Sequence, residues 1–169
     1  SMPRQLVAGD TRPPLLIFTD ACLEDDDRHA GLGAVMIDRH SCKREFFAEV
    51  MQPAQLSVLH VDSAKVINSL EVLAARAALA HWLQYTLHRR VFVFVDNDAA
   101  RMSLIEMSTR SRSMLAVVRA VAFQVAAAPT FLWFSRVPAE SNIADLPSRM
   151  ALAELMALGY VRVNCAIRV

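Results

Sequence analysis

The apolar positions of this chain fall into short runs and helical stripes that alternate along its length. Leu15–Thr19 (LLIFT) is a short apolar run that predicts a buried strand ending at Asp20. Gly31–Asp38 (GLGAVMID) and Lys43–Met51 (KREFFAEVM) predict two further strands. The short links between these three runs point to an antiparallel meander. The stretch 52–67 has no clear period. After it Leu70, Leu73, Ala74, Ala77, Ala78, Trp82 and Tyr85 recur at helical spacing. Asn68 or Ser69 is the candidate N-cap of that helix, which puts Glu71 in its first turn, where a carboxylate suits the helix dipole. Val91–Val95 (VFVFV), alternately β-branched and aromatic, predicts a buried strand ending at Asp96. Asp98–Met107 and Ser113–Ala127 read as helices and Thr130–Phe134 as a strand. A last helix is expected from Ser141 or Asn142 to Leu158, stopped by Gly159.

The order β-β-β-α-β-α-α-β-α predicts an α/β fold with a mixed five-stranded sheet, an antiparallel meander followed by parallel strands, flanked by helices. Residues 1–14 form an N-terminal arm in this reading, 15–159 one domain, and 160–169 a C-terminal tail, either strand or arm. Trp82 and Trp133 are both expected in the core.

Composition narrows the picture. Of 169 residues 54% are hydrophobic and 21% charged, which excludes a disordered chain. The net charge of +1 lacks the strong basic excess common in nucleic-acid-binding proteins. Arginines do gather between Arg101 and Arg119, where Arg101, Arg110, Arg112 and Arg119 face the single acid Glu106. Acids gather at Glu24, Asp25, Asp26 and Asp27, read as a solvated loop. Three widely spaced cysteines without a CxxC pair argue against a zinc site or disulfide framework and for an intracellular, reducing compartment, nucleus or cytoplasm. No apolar run approaches the ~18 residues of a membrane span.

The chemistry lies in four acids. Asp20 and Asp96 each follow a hydrophobic strand, the end of an α/β sheet where ligand sites form. Glu71 and Asp145 fall in the first turns of expected helices. If the first and fourth strands are neighbours, Asp20 and Asp96 come together, and the helix holding Glu71 can reach the same edge. Carboxylates so crowded repel one another, and divalent cations relieve that repulsion. A magnesium pair about 3.5–4 Å apart can activate water and stabilise a leaving oxygen in phosphodiester hydrolysis. Taken one at a time, each acid is more often a turn, capping or helix-dipole residue.

Four segments, in order, resemble the ribonuclease H superfamily, and in particular the RNase H domains of retroelement reverse transcriptases, of DIRS or gypsy type. FTDACLEDDDRHAGLGAVM is similar to the opening strand pair, INSLEVLAARAALAHW to the Glu-bearing helix, VFVFVDNDAA to the next strand with its terminal Asp, and RVPAESNIADLPSRM to the retrotransposon ending. STRSRSML is more faintly similar to a DIRS segment. The resemblance spans residues 15–150. It implies a metal-dependent endonuclease that hydrolyses the RNA strand of RNA–DNA hybrids during reverse transcription. It further implies two Mg2+ ions, replaceable by Mn2+, and a polymerase domain as partner. Asp20 would bridge both metals, Asp145 would join it on the ion that activates water, and Glu71 and Asp96 would hold the other.

The resemblance also suggests roles for polar neighbours. Asn68 stands where the family often places a minor-groove amide, Asn97 could touch substrate, and Arg110, Arg112 and Arg149 could meet phosphates. Each has a structural alternative: helix cap, turn residue, solvated surface or, for Arg149, a salt bridge to a carboxylate. Two features depart from cellular relatives. The loop Pro138–Ser141 has no histidine before the last acid, and the short interval from Asp96 to Asp145 leaves no room for a basic substrate-gripping helix. A non-catalytic connection or docking module, and another nuclease of the superfamily such as a resolvase or exonuclease, remain the competing readings.

Overall fold

The structure, a computed structural model, describes residues 11–23, 30–59 and 66–168. Most of the expected N-terminal arm, the acidic cluster Glu24–Asp27 and part of the ambiguous stretch 52–67 lie outside the described residues. The meander forms as β1 (Leu15–Leu23), β2 (Ala30–Asp38) and β3 (Lys43–Val50), paired antiparallel. β4 (Arg90–Val95) and β5 (Phe131–Arg136) add on the other side of β1 as parallel strands. β1 does not stop at Asp20. Its ladder with β2 continues from Asp20↔Gly33 to Leu23↔Ala30, so Asp20 lies inside the strand.

The sheet has six strands where the sequence predicts five, in the order β5-β4-β1-β2-β3-β6. The extra strand, β6 (Val161–Arg162), belongs to the expected tail and pairs in parallel with β3. An edge strand offers unpaired backbone groups, and Val163 N–H takes one of them on Phe46 O at 2.8 Å.

One face of the sheet is covered by α2 (Val66–His81), α4 (Asp98–Glu106) and α5 (Arg112–Ala127), which with the strands enclose the main core. Small residues in α2, among them Ala74, Ala75 and Ala78, are fully buried and let that helix lie close to β1 and β2. α1 (Pro53–Leu59) packs against α5, and α3 (Leu83–Thr86) against α2. The other face holds a smaller core of Val35, Phe46, Ala144 and Leu155 beneath α6 (Asp145–Ser148) and α7 (Leu152–Ala157).

Two further expectations fail for physical reasons. The single helix expected from 141 to 158 is broken into a 3-10 turn at Ala139–Ser141, α6 and α7. Pro147 lacks an N–H, and Met150 takes the left-handed backbone (φ 59°), which reverses the chain between α6 and α7. Gly159 (φ 80°) closes α7, as expected of it. Trp133 is not core: it is 66% exposed, because Leu132 and Phe134 are the β5 residues turned into the main core. Trp82 is buried, and its Nε1–H donates to Glu45 Oε2 at 3.0 Å.

At the sheet end that holds the β2–β3 turn, Arg89 and Asp38 form a buried bidentate pair at 3.0 and 2.9 Å. Arg89 also donates to Pro13 O at 2.8 Å, which ties the entry of β1 to the β2–β3 turn. Arg89→Ala strands a buried carboxylate and is expected to lower unfolding free energy by about 3–5 kcal/mol in urea titrations. Hydrogen bonds from Arg89, Ser41 and His40 N–H hold Asp38 well below its usual 3.8, against the opposing effect of burial. A depressed carboxyl contributes stability above its unfolded value and loses it as pH falls. Stability is therefore expected to drop below about pH 4 in the native protein, with this component missing in Asp38→Asn.

Candidate metal centre

β1 and β4 run parallel, with Leu15↔Val91 through Phe18↔Phe94 in register. Two residues further along each strand direction stand Asp20 and Asp96, on one face by the two-residue period of a strand. Glu71 comes from α2. The helix is already formed at Val66, so Asn68 and Ser69 are helical residues and not its caps, and Glu71 sits in the second turn, not the first. Carboxylate oxygens of Asp20, Glu71 and Asp96 lie within 4.8 Å of one another.

The group is poorly solvated. Asp20 and Glu71 are 4% and 3% exposed, and Asp96 is half-buried. Glu71 Oε1 accepts from Ala21 N–H at 3.3 Å, while buried Oε2 has no hydrogen-bond partner. Burial pushes the Glu71 carboxyl up to about 9, and the charges of Asp20 and Asp96 add to the rise. Asp20 is raised to about 6, chiefly by burial; the Ser148 hydrogen bond opposes this, and Asp96 and Asp145 reinforce it.

Asp20 is oriented from the far end of the chain. Ser148 Oγ donates to Asp20 Oδ2 in a short hydrogen bond, and Asn142 Nδ2 donates to Asp20 Oδ1 at 3.3 Å and to Thr19 O at 3.1 Å. Two glycines of β2 make this possible. A Cβ at Gly31 would collide with Ser148 O, and one at Gly33 with Ser148 N and Ala144 O. Bare backbone on β2 is thus the floor on which α6 rests. Asn142 and Ser148 stand three residues either side of Asp145 in NIADLPSR, which is the only trace of them in the sequence.

Asp145 opens α6 as expected but is not part of the three-carboxylate group. Its Oδ1 accepts from Arg149 Nε at 2.7 Å, so Arg149 takes the salt-bridge alternative. Asn97 caps α4 by accepting from Ala100 N–H at 3.0 Å, and its Nδ2 donates to Asn68 Oδ1 at 2.9 Å. This link joins the α2 residue one turn before Glu71 to the residue after Asp96. Arg110 and Arg112 are exposed beside the cap of α5, where the Ser111–Ser113 hydroxyl pair (2.9 Å) continues to Ser69 of α2 at 3.3 Å. Arg101 is engaged by Asp98 at 2.9 Å.

The donor set fits a hard divalent cation. All its atoms are carboxylate oxygens, they repel one another, and Glu71 Oε2 is buried without a partner. No protein-family model matches the chain, and no curated protein is significantly similar in sequence. Solved structures are similar. RNase H1 from the halophilic archaeon Halobacterium salinarum NRC-1 superposes with a TM-score of 0.64 at 15% identity, over 84% of this chain and 99% of that one. The N-terminal RNase H domain of rv2228c from Mycobacterium tuberculosis gives 0.61 at 15%, over 86% and 98%. LC11-RNase H1 in complex with RNA/DNA hybrid gives 0.62 at 16%, over 84% and 99%.

The chain has an RNase H-like fold. At this level of identity the likeness carries architecture, and the chemistry of an RNase H-like chain has to be argued from its own carboxylates. Among the described residues no helix is long and apolar enough to cross a membrane.

The raised carboxyls set a pH dependence of stability. The unfolded chain loses these protons near the usual 4.5 and 3.8, whereas the folded, metal-free protein keeps them to about 9 for Glu71 and about 6 for Asp20. Between those limits the folded state binds more protons, so stability falls as pH rises. The melting temperature of the metal-free protein is expected to decline from pH 5 to pH 8.5, and Glu71→Gln to flatten that decline. Divalent cation is expected to raise the melting temperature more at the alkaline end.

Proposed function

We propose that this chain is a divalent-metal-dependent endonuclease that hydrolyses the RNA strand of RNA–DNA hybrids, working beside a reverse transcriptase polymerase domain. The observation that carries the reading is the convergence of Asp20, Glu71 and Asp96 around a buried carboxylate oxygen with no partner. The RNase H-like fold supports it, and one solved neighbour is a complex with RNA/DNA hybrid. The reverse-transcription context rests on the retrotransposon-like RVPAESNIADLPSRM and VFVFVDNDAA segments.

Asp20, Glu71 and Asp96 would hold the metal, with Asp145 at the rim of the same site. Two Mg2+ ions, or Mn2+ in their place, would supply the positive charge that activates an attacking water and stabilises the departing 3′ oxygen. The chain's own residues prepare the site. Ser148 and Asn142 fix the Asp20 carboxylate in one orientation, so no reorganisation is needed when substrate arrives. The Asn97–Asn68 bond holds the N-terminal part of α2 against the end of β4. Arg149 keeps Asp145 beside the cluster while neutralising part of its charge. Arg110 and Arg112, both exposed, would meet phosphates of the duplex. Hydrolysis of the phosphodiester adds water across the P–O3′ bond, leaving a 5′-phosphate and a 3′-hydroxyl.

Incubation with Mg2+ and labelled RNA–DNA hybrid, single-stranded RNA, duplex DNA and a four-way junction tests the reading. Cleavage confined to the RNA of the hybrid is expected, reduced at least about a hundredfold in Asp96→Asn. Ser148→Ala, which frees the Asp20 carboxylate, should lose roughly ten- to a hundredfold while staying folded. Cleavage of the hybrid by Asp96→Asn at the native rate, or none by the native chain, would overturn it.

A further inference from the structure

Asp145 stands outside the three-carboxylate group although its main chain is anchored to that group. α6 rests on the bare backbone of Gly31 and Gly33. Asp145 N–H donates to Asn142 O at 3.0 Å, and Asp145 O lies 3.0 Å from Ser148 Oγ, the same hydroxyl that bonds Asp20. The charge of Asp145 is felt at Asp20. What holds its side chain is Arg149. The guanidinium Nε donates to Asp145 Oδ1 at 2.7 Å across one turn, with the acid N-terminal to the base, the favourable order for such a pair. Nη1 of the same guanidinium reaches Cys22 Sγ at 3.9 Å, two residues beyond Asp20 on β1. Arg149 thus bridges α6 and the end of β1 at the rim of the metal centre. The side chains of Asp145 and Arg149 are 43% and 60% exposed, so the pair can open without disturbing the core.

We infer that Arg149 is a positioning residue that occupies the carboxylate of Asp145, so that the centre holds one divalent ion at rest and takes a second only when metal displaces the guanidinium. The inference rests on the metal-centre reading and adds to it the order in which two ions are held. The first ion meets Asp20, Glu71 and Asp96, which form no ion pair with an arginine or lysine among the described residues. The second has to compete. A hydrogen bond and a cation use the same lone pairs of Asp145 Oδ1, and an exposed pair of this kind withholds a carboxylate by only about twofold. Like charge is the larger effect. A guanidinium and a divalent ion a few ångströms apart weaken the ion's binding roughly tenfold even at the dielectric constant of water. Charge also sets the order. With Asp20, Glu71, Asp96 and Asp145 ionised, the first ion cancels two of the four negative charges and Arg149 offsets a third. The second ion therefore meets a much weaker attraction than the first, and Arg149 is the part of that difference which a single substitution removes.

The test is a Mn2+ titration of the full chain at one fixed pH, with free Mn2+ counted by its electron paramagnetic resonance signal. The native chain is expected to bind one ion tightly and a second weakly. Arg149→Gln should tighten the second ion by about five- to twentyfold and leave the first within about twofold. Arg149→Lys, which keeps the charge, should stay closer to the native value than Arg149→Gln. Asp145→Asn should lose the second ion and keep the first, and adding Arg149→Gln to it should restore nothing, since the effect passes through Asp145. In cleavage assays the Mg2+ concentration for half-maximal rate should fall in Arg149→Gln, whereas mere damage to α6 would raise it. Both side chains are exposed, and an unchanged melting temperature confirms that the variants fold. No bound Mn2+ in the native chain would overturn the metal-centre reading and this inference with it. A first ion bound normally, with the second absent from both native and Arg149→Gln chains or within twofold between them, would overturn this inference alone. So would tightening of the second ion by Arg149→Gln that persists in the Asp145→Asn background.

Discussion

Like-charge crowding is the constraint on which the rest of this structure turns. Asp20, Glu71 and Asp96 bring carboxylate oxygens within 4.8 Å of one another in a place where water barely reaches. Left to themselves such groups retain protons, which is why Glu71 is pushed up to about 9 and Asp20 to about 6, both mainly by burial. A core built for stability alone would carry apolar side chains there. The arrangement makes sense if something positive completes it.

The fold spends much of its detail on holding that arrangement. The parallel register of β1 and β4 aligns Asp20 with Asp96. The alanine-rich face of α2 lets the helix carrying Glu71 approach the sheet closely. Gly31 and Gly33 strip side chains from β2 so that α6 can settle on it and present Ser148 and Asn142 to Asp20. The break at Pro147 and Met150 follows from the same contact: a straight helix running on from Asn142 would not turn back over the small core formed with Val35 and Phe46.

The sequence made the strands readable because each carries its own local pattern, apolar runs at Leu15–Thr19 and Val91–Val95 above all. Asp20 and Asp96 were legible for that reason, as residues at the ends of those runs. Trp133 was not, since hydrophobicity does not say which face of an edge strand is covered. β6 is two residues long and has no pattern of its own; only the open edge of β3 gives it a place. Glu71 was placed on the correct helix but one turn off, because polar Asn68 and Ser69 mimic a cap while being held inside the helix by Asn97 and Ser113. The partners of Asp20 were beyond local reading, being 122 and 128 residues away in the chain.

The central claim is that the carboxylate group binds divalent metal. Calorimetric titration of the native chain with Mn2+ at mildly alkaline pH tests it without recourse to activity. Saturable binding of on the order of two ions per chain is predicted, with release of the protons held by the raised carboxyls, and with binding lost in Asp20→Asn. Heats of the native chain no different from those of Asp20→Asn would contradict it.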